Sequence, residues 1–367
     1  MKKQISAEKA PKHFENEIHF FAAANTGGGF VSFFDEVFNR DGINKIYILK
    51  GGPGCGKSTL MKNYGKSAEA KGLTPIYYHC SSDPDSLDGV TVKETGISII
   101  DGTAPHVFDP VYPGVRDFYV DLSQAWDTDR LAENKDRIIN LSRQKSNCYK
   151  TAYRLLDAVN TVTKEMYSTA LGFIDRDKAK GFVRRFVHKY IRGRGTSAEL
   201  TEKIIVNAIS SKGLVRFFTP EKAADTIFFI KDAKLVSRFL FDMLSEEVKK
   251  SGAAAVFALS PERPDEVCGI YFPDARICIS LYDEDAVKEL ETMKKTVKII
   301  NASRFIDAEC YKACRQKFSF SEKCRETLMD AVLSELSAAG AFHSKLEEIY
   351  ISATDYGKID GIGKKIP

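Results

Sequence analysis

No run of about 20 apolar residues occurs anywhere in this chain, so a membrane-spanning helix is not expected. The opening Met1-Lys-Lys-Gln4, followed by Ser6, Glu8, Lys9 and Lys12, lacks the apolar stretch of a secretory leader, and the expected compartment is the cytoplasm. Cysteine is present without a framework. The eight cysteines (55, 80, 148, 268, 278, 310, 314 and 324) form no CxxC pair and no disulfide-like spacing, which suits a reducing environment. Cys310, Cys314 and Cys324 have no nearby His and read as buried or incidental thiols rather than metal ligands. Strong charge imbalance is missing too: 54 basic against 50 acidic residues leave +4, which says little about partners at the level of the whole chain.

What is there suits two globular domains. With 43% hydrophobic and 28% charged residues the chain can bury a core, and 367 residues exceed what one core usually organises. The chain also contains a weak copy of itself. Ile46-Tyr-Ile-Leu-Lys50 reads like Ile227-Phe-Phe-Ile-Lys231, and a shift of 180 takes Leu60 to Leu240, Gly72 to Gly252, Pro84 to Pro264 and Gly89 to Gly269. The same shift takes Ile97 to Ile277, Ser123 to Ser303 and Asp127 to Asp307. Upstream, Gly29-Phe-Val-Ser-Phe-Phe34 resembles Gly213-Leu-Val-Arg-Phe-Phe218; downstream, Glu165-Met-Tyr167 resembles Glu348-Ile-Tyr350.

Apolar runs predict strands near 45–50, 74–80, 96–101 and 117–122, and again near 226–231, 253–259, 275–281 and 296–301, with helices over 130–175 and 305–355. The expected fold is α/β: tandem three-layer domains with parallel sheets, 1–195 and 196–367, each followed by a helical segment. Arg192-Gly-Arg-Gly195 reads as the connector.

Gly51-Gly-Pro-Gly-Cys-Gly-Lys-Ser-Thr59 fits GxxxxGK[ST] and lies between an apolar strand and an amphipathic helix. Gly51, Gly52, Pro53, Gly54, Cys55 and Gly56 would curl the backbone so that successive amides face a phosphate, with the helix adding its positive end. Lys57 is expected to reach the β- and γ-phosphates, Ser58 to offer its hydroxyl to Mg2+, and Thr59 to help near the α-phosphate. Asp101, which ends the apolar strand Gly96-Ile-Ser-Ile-Ile-Asp101, is the expected second anchor for Mg2+. Asp83, in Cys80-Ser-Ser-Asp-Pro-Asp85, either approaches the γ-phosphate or caps a turn. His106, with Asp109, either positions a water as general base or makes a structural hydrogen bond.

The second copy lacks this chemistry. Lys231-Asp-Ala-Lys-Leu-Val-Ser-Arg-Phe239 has no glycine, its bulky members are expected to resist positive φ, and Leu281 stands where Asp101 would be. A degenerate domain that binds no nucleotide is expected. Between Lys178 and Arg194, seven basic residues alternate with Phe182, Phe186 and Tyr190; a solvated basic face over a packing stripe is preferred to a nucleic-acid or anionic-lipid surface.

On Phe21-Ala-Ala-Ala-Asn-Thr26, residues 51–59, residues 80–89 and Ile100-Asp-Gly-Thr-Ala-Pro-His106, the chain resembles the P-loop NTPase superfamily, and more closely a bacterial family of tandem P-loop ATP-binding proteins labelled ATPase or nucleotide-kinase-like. The resemblance implies ATP binding on Lys57, Ser58 and Asp101 and names no substrate. Three readings remain open: a weak or partner-stimulated Mg2+-dependent ATPase, a kinase acting on a small molecule, and a nucleotide-gated binding module. No arginine lies between Gly51 and Asp101, which argues against a nucleoside monophosphate kinase. Gly102 follows Asp101 where many ATPases carry a glutamate, so slow turnover is expected, with Arg116, the basic connector or a partner protein supplying charge. ATP and GTP are not distinguished.

Overall fold

In the computed structural model of the chain, residues 18–105, 107–191 and 201–366 are described. The first half runs through β1 (Ile18–Phe21), the hairpin β2 (Ala23–Thr26) and β3 (Gly29–Ser32), α1 (Phe34–Phe38), β4 (Lys45–Lys50), α2 (Lys57–Ala70), β5 (Pro75–His79), β6 (Leu87–Val92), β7 (Ile97–Asp101) and β8 (Asp117–Asp121). Helices α3 (Thr128–Glu133), α4 (Lys135–Ala170) and α5 (Arg176–Tyr190) follow. The second half repeats this: β9 (Thr201–Ile204), β10 (Asn207–Ser210), β11 (Gly213–Arg216), α6 (Thr219–Ala223), β12 (Thr226–Lys231), α7 (Val236–Ser251), β13 (Ala255–Leu259), β14 (Val267–Phe272) and β15 (Ile277–Leu281). It ends with α8 (Glu284–Thr292), β16 (Thr296–Asn301), α9 (Ala308–Ser352) and α10 (Tyr356–Gly363).

Each half builds a six-stranded sheet, β1-β5-β6-β7-β4-β8 and β9-β13-β14-β15-β12-β16, so the two share one strand order. Registers agree to the residue. Tyr77 pairs with Val90 and Phe257 with Ile270, and both sheets slip register at the same place, Tyr78/His79 and Ala258/Leu259. Inner strands such as β5 and β13 are buried almost throughout because both sheet faces are covered, whereas the edge strands β8 and β16 alternate with exposed residues.

The sheets are mixed rather than parallel. β6 and β14 run antiparallel to both neighbours, while the remaining pairs are parallel. Residues 93–96 turn back tightly, with the Gly96 amide donating to Val92 O at 2.9 Å, and so short a turn can join only antiparallel strands. The segment 87–92, which holds Asp88 and Gly89, is not among the strands expected from apolar runs; Gly89 packs closely there, where a Cβ would lie 2.6 Å from the Phe38 ring.

The compact units do not divide at residue 195. Of the described residues, those within 1–154, 208–215 and 331–367 form one unit, and those within 155–207 and 216–330 form the other. The reason is that the helical arms are exchanged. In the first unit Trp126 bridges Thr354, with Asp127 N–H donating to Ala353 O and Asp355 N–H to Ala125 O, each at 2.8 Å. The second unit makes the equivalent bonds from Ile306 to Ile174, with Asp307 N–H donating to Phe173 O and Asp175 N–H to Phe305 O. Asp175 and Asp355 then cap α5 and α10, a contact type that contributes about 1 kcal/mol each.

Helix α5 buries Ala179, Val183, Phe186 and Val187 and leaves Lys178, Lys180, Arg184, Arg185 and Lys189 exposed, as a packing stripe under a solvated basic face requires. The connector around Arg192 and Arg194 lies outside the described residues.

Candidate functional site

The loop of residues 51–59 leaves β4, an inner strand between β7 and the edge strand β8, and enters α2. Gly54 (φ +68°) and Gly56 (φ +88°) adopt the left-handed region that L side chains resist, and this bends the chain over itself. The Lys57 ammonium lies within the bend, donating to Gly51 O at 3.0 Å and Gly52 O at 2.7 Å. Cys55 is buried beneath the loop and its thiol pKa is raised by burial, so it packs rather than reacts. Ser58 Oγ accepts the Leu87 amide at 3.0 Å, Pro53 is half-buried, and Thr59 is exposed on the first turn of α2.

Asp101 ends β7, the parallel neighbour of β4, with Leu49 and Asp101 in register. Its Oδ2 lies 3.5 Å from Lys57 Nζ, while Oδ1 accepts the Thr103 amide at 2.9 Å and the Thr103 hydroxyl. Strand pairing therefore brings two residues 44 positions apart onto one sheet edge. Gly102 could not be a glutamate: a Cβ there would meet Ile48 Cγ2 at 2.3 Å.

The other expected residues are dispersed. Asp83 binds Lys212 Nζ at 3.1 Å and the Ser86 hydroxyl at 2.8 Å; burial pushes its carboxyl up, and these partners more than reverse the shift. It caps a turn. Asp109 is exposed, and His106 lies outside the described residues. Arg116 is committed to Asp117, at 2.5 and 2.9 Å, and to Asn39 at 2.6 Å, so it does not serve the loop as a free cation.

Several residues that sequence reasoning missed cover the loop instead. Apart from Trp126, they come from α9 and α10, some 300 residues downstream. A Cβ on Gly52 would meet Tyr350 at 2.9 Å and Trp126 at 3.2 Å, and one on Gly54 would meet Ile351 at 2.9 Å and Glu347 O at 3.0 Å. Tyr356 donates its hydroxyl to Gly54 O at 2.6 Å. One turn before Glu347, His343 places Nε2 3.7 Å from the Glu347 carboxylate and Nδ1 3.4 Å from Lys145 Nζ of α4. Since the lysine can only donate, His343 Nδ1 accepts and Nε2 carries the proton. Burial, with Lys145 beside it, lowers the His343 pKa to about 4, so the ring is neutral near pH 7. Burial and the nearby Asp83 raise the Glu347 carboxyl, while Lys57, Lys145 and the Gly54 amide oppose them. The repeat between 165–167 and 348–350 was the one sequence signal touching this region, and it gave no hint of which loop the arm covers.

The corresponding loop of the second unit bends similarly. Lys234 (φ +57°) and Leu235 (φ +64°) are both left-handed, so the expectation that bulky residues prevent the bend is wrong. Asp232 stabilises it: the carboxylate accepts the Leu235 amide at 3.2 Å and the Ser237 amide at 2.8 Å. These correspond, at the shift of 180, to the amides of Cys55 and Lys57. In the first loop Gly52 stands at the position of Asp232, and the Cys55 thiol rather than a carboxylate lies beside these two amides.

Among the described residues no group of three or more His, Cys, Asp or Glu is placed to hold a metal. A magnesium held mainly by phosphate oxygens and water needs no such group; Ser58 Oγ and Asp101 are the oxygens available beside the loop. Among the described residues, no helix is long and apolar enough to cross a membrane. No protein-family model, curated protein or solved structure matches the chain.

Proposed function

We propose that the chain binds one ATP with Mg2+ on the loop of residues 51–59 and hydrolyses it slowly, or faster when a partner is bound. The observation that carries this reading is the bend at Gly54 and Gly56, with the Lys57 ammonium inside it and Asp101 3.5 Å away on the adjacent strand end. Such a loop presents successive amides and one cation to a polyphosphate, and the start of α2 adds its partial positive charge. Lys57 would exchange two carbonyl oxygens for β- and γ-phosphate oxygens, and Ser58 and Asp101 would anchor the magnesium, directly or through water. With Gly102 locked as glycine, no carboxylate stands directly after Asp101 to activate water, which supports slow turnover. The second unit is the degenerate copy, its loop closed by Asp232.

Calorimetry with Mg2+-ATP tests the reading, beside a phosphate-release assay. Saturable binding by the wild-type chain, abolished in a folded Lys57→Ala variant, is expected. Equal affinity in the two proteins would remove the loop from any nucleotide site.

A further inference from the structure

Lys145 presents a charge problem that the first unit does not solve by itself. Its ammonium is half-buried, its one hydrogen bond runs to the neutral imidazole of His343, and among the described residues no carboxylate lies within ion-pair distance of it. Burial lowers its pKa, and Lys57 adds to this while Glu347 opposes it. A half-buried ammonium held this way is costly unless an anion joins it.

The second unit shows what an ordinary solution looks like. The shift of 180 takes Lys145 to Arg325, His343 back to Thr163, and Ser82 to Glu262. Arg325 donates to Thr163 Oγ at 3.0 Å, as Lys145 does to His343, but it also pairs with Glu262 at 2.5 Å. The same position thus carries a cation in both units. In the second, Glu262 pairs with the cation directly; in the first, Ser82 stands at that position and no carboxylate among the described residues lies within ion-pair distance.

The missing anion has an identifiable place. Lys145, His343 and Glu347 form a string that ends on Gly54, the residue at the crown of the bend. Lys57 lies within the bend, whereas Lys145 stands on α4 and reaches the string through His343 of α9. Arg116, which sequence reasoning offered for this purpose, is already bound to Asp117.

Given the nucleotide reading above, on which it depends, we propose that Lys145 is a second phosphate-binding cation, contacting the terminal phosphate of the bound nucleotide with His343 orienting its amine. Lys145 would then supply in cis the positive charge that many nucleotide hydrolases receive from an arginine. Glu347, which faces the same space, is the internal anion that the phosphate displaces from the neighbourhood of Gly54.

A contact to the terminal phosphate separates ATP from ADP, which a merely structural lysine would not do. The affinities of Mg2+-ATP and Mg2+-ADP are measured by calorimetry for the full-length wild type and Lys145→Ala, with thermal melts to confirm folding. If Lys145→Ala does not fold, Lys145→Met, which keeps the aliphatic stem, takes its place. The expected result is a loss of about tenfold or more in ATP affinity with ADP affinity unchanged, and partial recovery of ATP affinity in Lys145→Arg. If the wild type binds ATP but the variant keeps its ATP-to-ADP ratio, the role of Lys145 is overturned and the nucleotide site stands. If the wild type binds neither nucleotide, both are overturned.

Discussion

The two loops at residues 51–59 and 231–239 leave equivalent strands, enter equivalent helices and bend through left-handed residues, yet they satisfy their amides differently. In the second loop Asp232 folds back onto the amides of Leu235 and Ser237. In the first, the residue at that position is Gly52, which has no side chain to do so, and Lys57 occupies the bend instead. Backbone shape alone therefore does not make a phosphate site. A bend of this kind turns its amides toward one point and suits an anion; in the second loop the chain provides one in Asp232, and on the proposed reading a ligand would provide it in the first.

The sharpest test of this contrast is stoichiometry. Titrated with Mg2+-ATP, the chain is expected to take up one equivalent, and Lys57→Ala to take up none. A second saturable site surviving that substitution would show that the second loop opens and would break the comparison.

A smaller loss is expected at the neighbouring strand end. Asp101→Asn should weaken ATP binding in Mg2+ by about tenfold while changing binding in EDTA little, since a coordinating carboxylate acts through the metal. A magnesium titration identical to wild type would detach Asp101 from the site. The position has no carboxylate counterpart in the second unit, where Leu281 stands.

Asp232→Ala probes the other side. Removing the carboxylate leaves two loop amides unsatisfied and two left-handed side chains unsupported, which should cost about 1–3 kcal/mol in a denaturant melt. No Mg2+-ATP site should appear, because Ser237 replaces the lysine. Unchanged stability would mean that Asp232 does not hold the loop.

The smallest effect concerns pH and separates the units through their histidines. His79 and His343, both in the first unit, have pKa values lowered to about 4, chiefly by burial. The folded state thus binds fewer protons than the unfolded one between that value and the ordinary 6.5. Stability should be at its full level above about pH 6.5 and fall as the pH drops toward 4. Replacing both histidines by Gln should flatten the acid limb of a stability profile. A profile of unchanged slope would show that neither ring is desolvated as described.

Much of the fold was legible because it depends on local pattern. The strands at 45–50, 97–101, 226–231 and 296–301, the helices after each sheet, and the common order of the two halves follow from apolar runs and a constant shift. The strands β6 and β14 were hidden, since a strand containing Asp88 and Gly89 has no periodic signature, and its direction depends on a four-residue turn. Leu235 was misjudged for a related reason: propensity disfavours its φ, and Asp232 overrides propensity through two hydrogen bonds.

By itself the sequence determined the loop at residues 51–59, the strand-end Asp101 and the duplication, because each is a property of neighbouring residues or of a fixed spacing. Only the tertiary structure decided that the helical arms are exchanged, so that Tyr350, Tyr356 and Glu347 cover a loop some 300 residues away. It also decided that Arg116 is engaged elsewhere while, among the described residues, no carboxylate lies within ion-pair distance of Lys145. Which charges face each other depends on distances between segments far apart in the chain, and no local pattern encodes those distances.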